Sequence, residues 1–158
     1  MQIAAEQLLA KLQRGLHTLY TIHGNEPLLV QEALDAIRTA ARQQGFAERS
    51  SHTVSGAHFD WSAVQAACNS LSLFSARQIV EIHIPTGKPG KYGPAVLQQL
   101  AQESRANPDT LLLVTLPRLD KATKSSAWFA ALEQCGASIA INAVERPALP
   151  RWIAQRLQ

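Results

Sequence analysis

The sequence predicts an α/β fold: a five-stranded, mostly parallel sheet with helices on both faces. Three observations lead there. Runs with strand character alternate along the chain with segments of helical periodicity. One run, Thr110-Leu111-Leu112-Leu113-Val114-Thr115-Leu116, is the most apolar strand of all and is uninterrupted, as strands covered on both faces are. The first strand passes through a short glycine turn directly into a helix. Such alternation requires right-handed crossovers between parallel strands, and it makes the loops at the strands' carboxyl ends the natural functional rim.

A helix with Ile3, Leu8, Leu9 and Leu12 on one side is expected to open the chain and to stop at Gly15. Leu16 to Ile22 is the first strand and His23-Gly24-Asn25-Glu26 the turn. Pro27 then suits the first position of a helix, whose inward stripe is Val30, Ala33, Leu34, Ile37 and Ala41 and whose stop is Gly45. Ser50 to Val54 is a weaker second strand. Asp60 is a good N-cap for a helix that turns Trp61, Val64, Cys68 and Leu71 inward. The third strand, Gln78 to Ile84, runs into the Gly- and Pro-rich loop Pro85 to Pro94, and a helix follows from about Ala95 to Ser104. After the fourth strand, Thr110 to Leu116, Asp120 caps a helix carrying Trp128, Leu132 and Cys135 on one side up to Gly136, and Ala137 to Ile141 is the fifth strand. Pro147 and Pro150 break the pattern, and residues 150–157 begin a short amphipathic helix with no partner face in the chain. The expected division is one domain over residues 1–142, followed by a linker and the first helix of a truncated second domain over 143–158.

Of the 158 residues, 46% are hydrophobic and 17% charged, which supplies a core and excludes a disordered polar chain. The net charge of +3 is unevenly spread: residues 1–85 carry six basic and seven acidic groups, and residues 86–158 carry nine and five. Cys68 and Cys135 lie too far apart for a CxxC redox or zinc pattern. No stretch approaches the ~20 apolar residues that span a bilayer, and the amino terminus has no signal-peptide pattern. A soluble protein of the reducing cytoplasm, without membrane contact, is the expectation.

A strand, glycine turn and helix is where nucleotide-binding domains hold phosphate, so Gly24 is tested against GxxxxGK[ST]. It fails: the second glycine position holds Leu29, the lysine position Val30 and the hydroxyl position Gln31. After Leu111 to Val114, where an ATPase would place a carboxylate for magnesium, the chain has Thr115-Leu116-Pro117. A phosphoacceptor domain of the same strand order would want acidic residues at the first and third strand ends, which are His23-Gly24 and His83-Ile84-Pro85. His23 and His83, taken as ends of neighbouring strands, are the one histidine pairing to weigh; two ligands do not make a metal site, and backbone-satisfied histidines are the favoured reading. There is no GxSxG elbow. No catalytic residue, cofactor or metal is expected.

In Asn69-Ser70-Leu71-Ser72-Leu73-Phe74-Ser75-Ala76-Arg77, Leu73 falls about 200° around a helix from Leu71, so Leu73 and Phe74 cannot both join the inward stripe. An adjacent Leu-Phe pair among serines suits a small hydrophobic plug for a pocket on a partner. The alternative is that Phe74 closes the core and Leu73 is an incidental surface residue.

Four segments together resemble one family, the delta subunit of the bacterial DNA polymerase III clamp loader. They are Leu19 to Leu29 (LYTIHGNEPLL), Leu71 to Gln78 (LSLFSARQ), Leu119-Asp120-Lys121 with Lys124 and Trp128, and Trp152-Ile153. Their order and spacing cover nearly the whole chain. The resemblance implies an AAA+/P-loop-like first domain without a functional nucleotide site, in which Gly24, Asn25 and Glu26 belong to a degenerate phosphate loop. It also implies a non-catalytic subunit that binds the beta sliding clamp and helps open the ring for loading onto DNA. Carried over by position, Leu73 and Phe74 are the plug, and Ser70 and Leu71 position it. The other implied partners are the gamma/tau and delta prime subunits, held through domains missing here, and DNA, toward which Lys88, Lys91, Lys121 and Lys124 could face. Two other readings compete: a nucleotide-hydrolysing P-loop-like enzyme and a stand-alone nucleic-acid-binding module.

Overall fold

The computed structural model describes residues 2–4, 7–24, 26–46, 48–54, 59–69, 77–87, 90, 92–104, 110–117 and 121–141. The expected second domain, 143–158, and Asp120 lie outside them. The described elements run β1 (Gln2–Ala4), α1 (Leu8–Arg14), β2 (Leu19–Gly24), α2 (Pro27–Gln43), β3 (Glu48–Thr53), α3 (Trp61–Asn69), β4 (Gln78–His83), α4 (Gly93–Ser104), β5 (Thr110–Leu116), α5 (Lys121–Lys124), α6 (Ala127–Cys135) and β6 (Ala137–Ile141). The strands form one sheet in the order β1-β6-β2-β5-β4-β3, and every pairing among them is parallel.

All seven residues of β5 are buried, as its apolar run requires. Successive side chains of a strand point to opposite faces, which divides the core in two. Tyr20, Ile22, Leu111, Leu113 and Ile139 pack with Leu8 and Leu12 of α1 and with Ala33, Leu34, Ile37 and Ala41 of α2. Leu19, Val80, Ile82, Leu112 and Val114 pack on the other face with Val64 of α3, Leu97 and Leu100 of α4, and Trp128 and Leu132 of α6. The inward stripe expected for α2 is therefore the buried one, with Val30 half-buried at its start. That helix ends as expected at Gly45, whose φ of 94° lets the Phe46 N–H donate back to the Ala41 carbonyl at 3.1 Å. Asp60 caps α3, its Oδ1 accepting from the Ser62 N–H at 3.0 Å.

Three expectations are corrected. The sheet has six strands, because Gln2–Ala4 pairs with β6, Ile3 opposite Ile139, where the first turn of a helix was expected. A three-residue strand carries too little alternation to be told from a helical turn, and its partner lies at the far end of the chain. Second, β2 opens at Leu19 instead of Leu16, with the Thr18 hydroxyl turned to the Ser104 carbonyl at the end of α4, 2.9 Å away. Third, the helix expected from Asp120 to Gly136 is broken into α5 and α6. Ser126 is extended at the break (φ −69°, ψ 150°) and its hydroxyl donates to the Thr123 carbonyl, the local competition with helical hydrogen bonding that serine offers.

Gly136, between α6 and β6, lies against β2: a Cβ there would stand 2.4 Å from the Leu19 carbonyl oxygen and 2.7 Å from the Leu19 Cβ. A Gly136→Ala substitution must push two central strands apart. It is expected to lower stability by about 1–3 kcal/mol, the usual cost of overpacking, as measured by urea denaturation at neutral pH.

Candidate functional site

At the carboxyl edge of the sheet the β2–α2 turn has the outline of a phosphate loop and the wrong chemistry for one. A helix start binds anions through free N–H groups at the positive end of the helix dipole. Here Pro27 occupies the first helical position and has no N–H to give. Glu26, the N-cap (φ −107°, ψ 97°), adds a carboxylate to that positive end, and its carbonyl accepts from the Val30 N–H at 3.0 Å. Gly24 is crowded from the other side: a Cβ on it would fall 1.8 Å from the Ile141 carbonyl oxygen at the end of β6. At the positions of the missing lysine and hydroxyl, Val30 is half-buried and the Gln31 amide donates to Asp35 Oδ1 at 3.1 Å along the helix. Asn25 lies outside the described residues.

The neighbouring strand ends hold their polar groups in a closed network. Glu81, inside β4 and 1% exposed, accepts two hydrogen bonds from Arg38 of α2, Nε to Oε2 at 2.8 Å and Nη2 to Oε1 at 2.6 Å. Arg49 of the edge strand β3 stands 3.6 Å from its Oε2, and His83 Nε2 lies 3.1 Å from its Oε1. The other ring nitrogen of His83 is hydrogen-bonded to Thr115 Oγ1, at the end of β5 where an ATPase carboxylate was sought. Burial pushes the Glu81 carboxyl up, but the hydrogen bonds from His83 and Arg38 and the charges of Arg38 and Arg49 outweigh it and hold the group down at about 2. A carboxylate so neutralised is a structural clasp between α2, β4 and β3. Its sequence trace is faint: one acid in the apolar run Ile79-Val80-Glu81-Ile82, with its partner 43 residues away.

His23 and His83 are not at neighbouring strand ends, because β5 runs between β2 and β4. His23 packs edge-on to Phe129 with ring centroids 5.4 Å apart, and its Nε2 lies 3.5 Å from Ser138 Oγ. Burial and then the nearby Lys124 charge lower its pKa below the ordinary 6.5, with Glu133 opposing. Among the described residues no group of three or more His, Cys, Asp or Glu could hold a metal ion.

Ser70, Leu71, Leu73 and Phe74 lie outside the described residues, as do Lys88 and Lys91. The flanks of the first four are described: α3 ends at Asn69 and β4 begins at Gln78. Segment 70–76 therefore joins the sheet at the amino end of β4, the opposite edge from Gly24. Lys121 and Lys124 are exposed on α5, after the carboxyl end of β5.

A family model described as DNA polymerase III, delta subunit, matches residues 20–143. The chain belongs to the DNA polymerase III delta-subunit family. It is 37% identical over 158 residues to the DNA polymerase III subunit delta of Escherichia coli, covering 99% of this chain and 45% of that protein, so it spans less than half of its relative's length. Among solved structures, the Bacillus subtilis clamp loader delta protein YqeN superposes with a TM-score of 0.68 at 18% identity, over 89% of this chain and 43% of that one. The Aeropyrum pernix ORC1 protein, solved in complex with DNA, superposes with a TM-score of 0.51 at 13% identity, over 97% and 47%. These likenesses concern the fold, which is AAA+-like. No described helix is long and apolar enough to cross a membrane.

The clasp makes the stability of this delta-family domain depend on pH. Glu81 has a folded-state pKa depressed from 4.5 to about 2, so its contribution is fully present above about 4.5 and is lost as pH falls through about 2. The free energy of unfolding by urea is expected to fall across that window, and the fall should be shallower in Glu81→Gln.

Proposed function

We propose that this chain is the clamp-binding part of a clamp-loader delta subunit, acting without catalysis in DNA replication. The observation that carries the reading is the near end-to-end likeness to a DNA polymerase III delta subunit, 37% identical over 99% of this chain. Leu73 and Phe74 form a two-residue plug that enters an apolar pocket on the beta sliding clamp, and Ser70 and Leu71 set its direction. A few buried anchors can dominate such an interface, each costing about 2 kcal/mol or more when truncated. The subunit opens the ring only to the extent that it binds the strained or open ring more tightly than the closed one.

The β2–α2 turn supports the non-catalytic half of the reading. Glu26 and Pro27 give an anion a poorer helix start than an ordinary one, and the Ile141 backbone crowds Gly24. Residues 1–142 are the first domain and 143–158 open a second. Contacts with the gamma/tau and delta prime subunits belong to parts of the protein beyond this chain. Lys121 and Lys124, exposed on α5, and Lys88 and Lys91 are the candidates for facing DNA phosphate in the assembled loader, which works in the cytoplasm.

Calorimetric titration of the chain into beta clamp tests the plug. The wild type is expected to bind, and a Leu73→Ala/Phe74→Ala variant with an unchanged circular dichroism spectrum is expected to lose at least about 2 kcal/mol of binding free energy, roughly 30-fold in Kd. Equal binding by both proteins would remove these residues from the site. Magnesium-ATP titrated into the same chain is expected to give no heat of binding.

A further inference from the structure

We infer that Arg77 and Gln78 are positioning residues for segment 70–76, stapling its base to the ends of two helices on opposite faces of the sheet; the inference rests on the clamp-binding reading of that segment. The two residues stand where the chain enters β4, and the strand pleat sends adjacent side chains to opposite faces. The Gln78 amide Nε2 donates to the Ala67 carbonyl at 2.7 Å. Ala67 lies in the last turn of α3, where helix carbonyls have no partner within the helix, so the side chain satisfies a carbonyl and ties β4 to the helix that precedes the segment. Arg77 reaches the other face. Its guanidinium donates to the Gln44 carbonyl at the end of α2, and its Cζ sits 5.6 Å from the centroid of the Phe46 ring. A cation at a helix C-terminus is favoured by the helix dipole, and a guanidinium over an aromatic face adds a second attraction.

Both staples act close to one point of the backbone. Residues 70–76 lie in sequence between α3 and Arg77, and the Gln78–Ala67 bond ties the two described flanks together. On the α2 side the anchor belongs to the core: Phe46 is 4% exposed. A binding segment whose base is already fixed loses less conformational freedom on docking, so its affinity is higher for the same contacts. Local interactions would suffice to start a strand, and neither residue belongs to the apolar core; their shared property is that each spans from the strand to a different helix end.

The test uses the full 158-residue chain and immobilised beta clamp. Arg77→Ala/Gln78→Ala is expected to bind at least about tenfold more weakly than wild type with its thermal midpoint little changed, and amide exchange across 70–76 is expected to be faster in the free variant. Arg77→Lys keeps the cation at the helix end without the planar guanidinium over Phe46, folds more safely, and is expected to be intermediate in both readouts. Wild-type affinity and exchange in the double variant, alongside lost binding in Leu73→Ala/Phe74→Ala, would overturn the inference and leave the clamp reading standing. Binding that survives Leu73→Ala/Phe74→Ala would sink the plug itself, and the positioning role with it. Weaker binding matched by collapse of the thermal midpoint in both Arg77 variants would mark the residues as merely structural and also overturn the inference.

Discussion

Everything in this domain depends on β5 being covered from both sides. A parallel strand with all seven residues buried has no solvent face, so the chain must supply a helical layer above and another below. α1 and α2 form one layer, and α3, α4 and α6 the other. Once both faces of a sheet are occupied, only its edges and its two ends are left for binding, and the outer strands here are modest. β1 is three residues long, and β3, Glu48-Arg49-Ser50-Ser51-His52-Thr53, is polar throughout, which discourages edge-to-edge pairing.

The carboxyl end of the sheet differs in chemistry from a nucleotide site. In a nucleotide-binding sheet the carboxyl end works because a helix start, a cation and a metal-binding carboxylate converge on phosphate. In this delta-family domain the helix start carries Pro27 and Glu26, the lysine position is the half-buried Val30, and the end of β5 has Thr115, bonded to His83, where that carboxylate would stand; the Glu81 carboxylate, inside β4, is held by Arg38. The carboxylate is a fixed part of the frame, linking the first helical layer to β4 and β3. Breaking such a pair by removing one partner strands a buried charge, which is strongly destabilising.

Much of the fold was legible because its signals are local. Thr110–Leu116 and Ala137–Ile141 are strands over the very residues expected, and the α2 stripe, the Asp60 cap and the Gly45 stop rest on spacing within a single element. What sequence reasoning missed is non-local. β1 exists because it meets β6 at the other end of the chain, the Arg38–Glu81 clasp spans 43 residues, and the separation of His23 from His83 follows only from the strand order. The α5–α6 break had a local signal in Ser125-Ser126, but helical periodicity on both sides outweighed it. The empty phosphate motif could be judged from the sequence because it is contiguous. The crowding of Gly24 by Ile141 could not, since it needs β6 laid beside β2.

Segment 70–76, which contains Leu73 and Phe74, is followed in the chain by Arg77 and the amino end of β4. That placement has a mechanical consequence. If that segment docks on a partner as proposed, any load it takes reaches the described structure at Arg77 and Gln78, the residues that follow it in the chain. Load carried through Arg77 enters α2, and load carried through Gln78 enters α3, so both helical layers share it. From α2 the path continues through Arg38 to Glu81, back into the same strand two turns of pleat further on. Arg77, Gln78, Arg38 and Glu81 thus tie the one strand β4 to a helix in each layer.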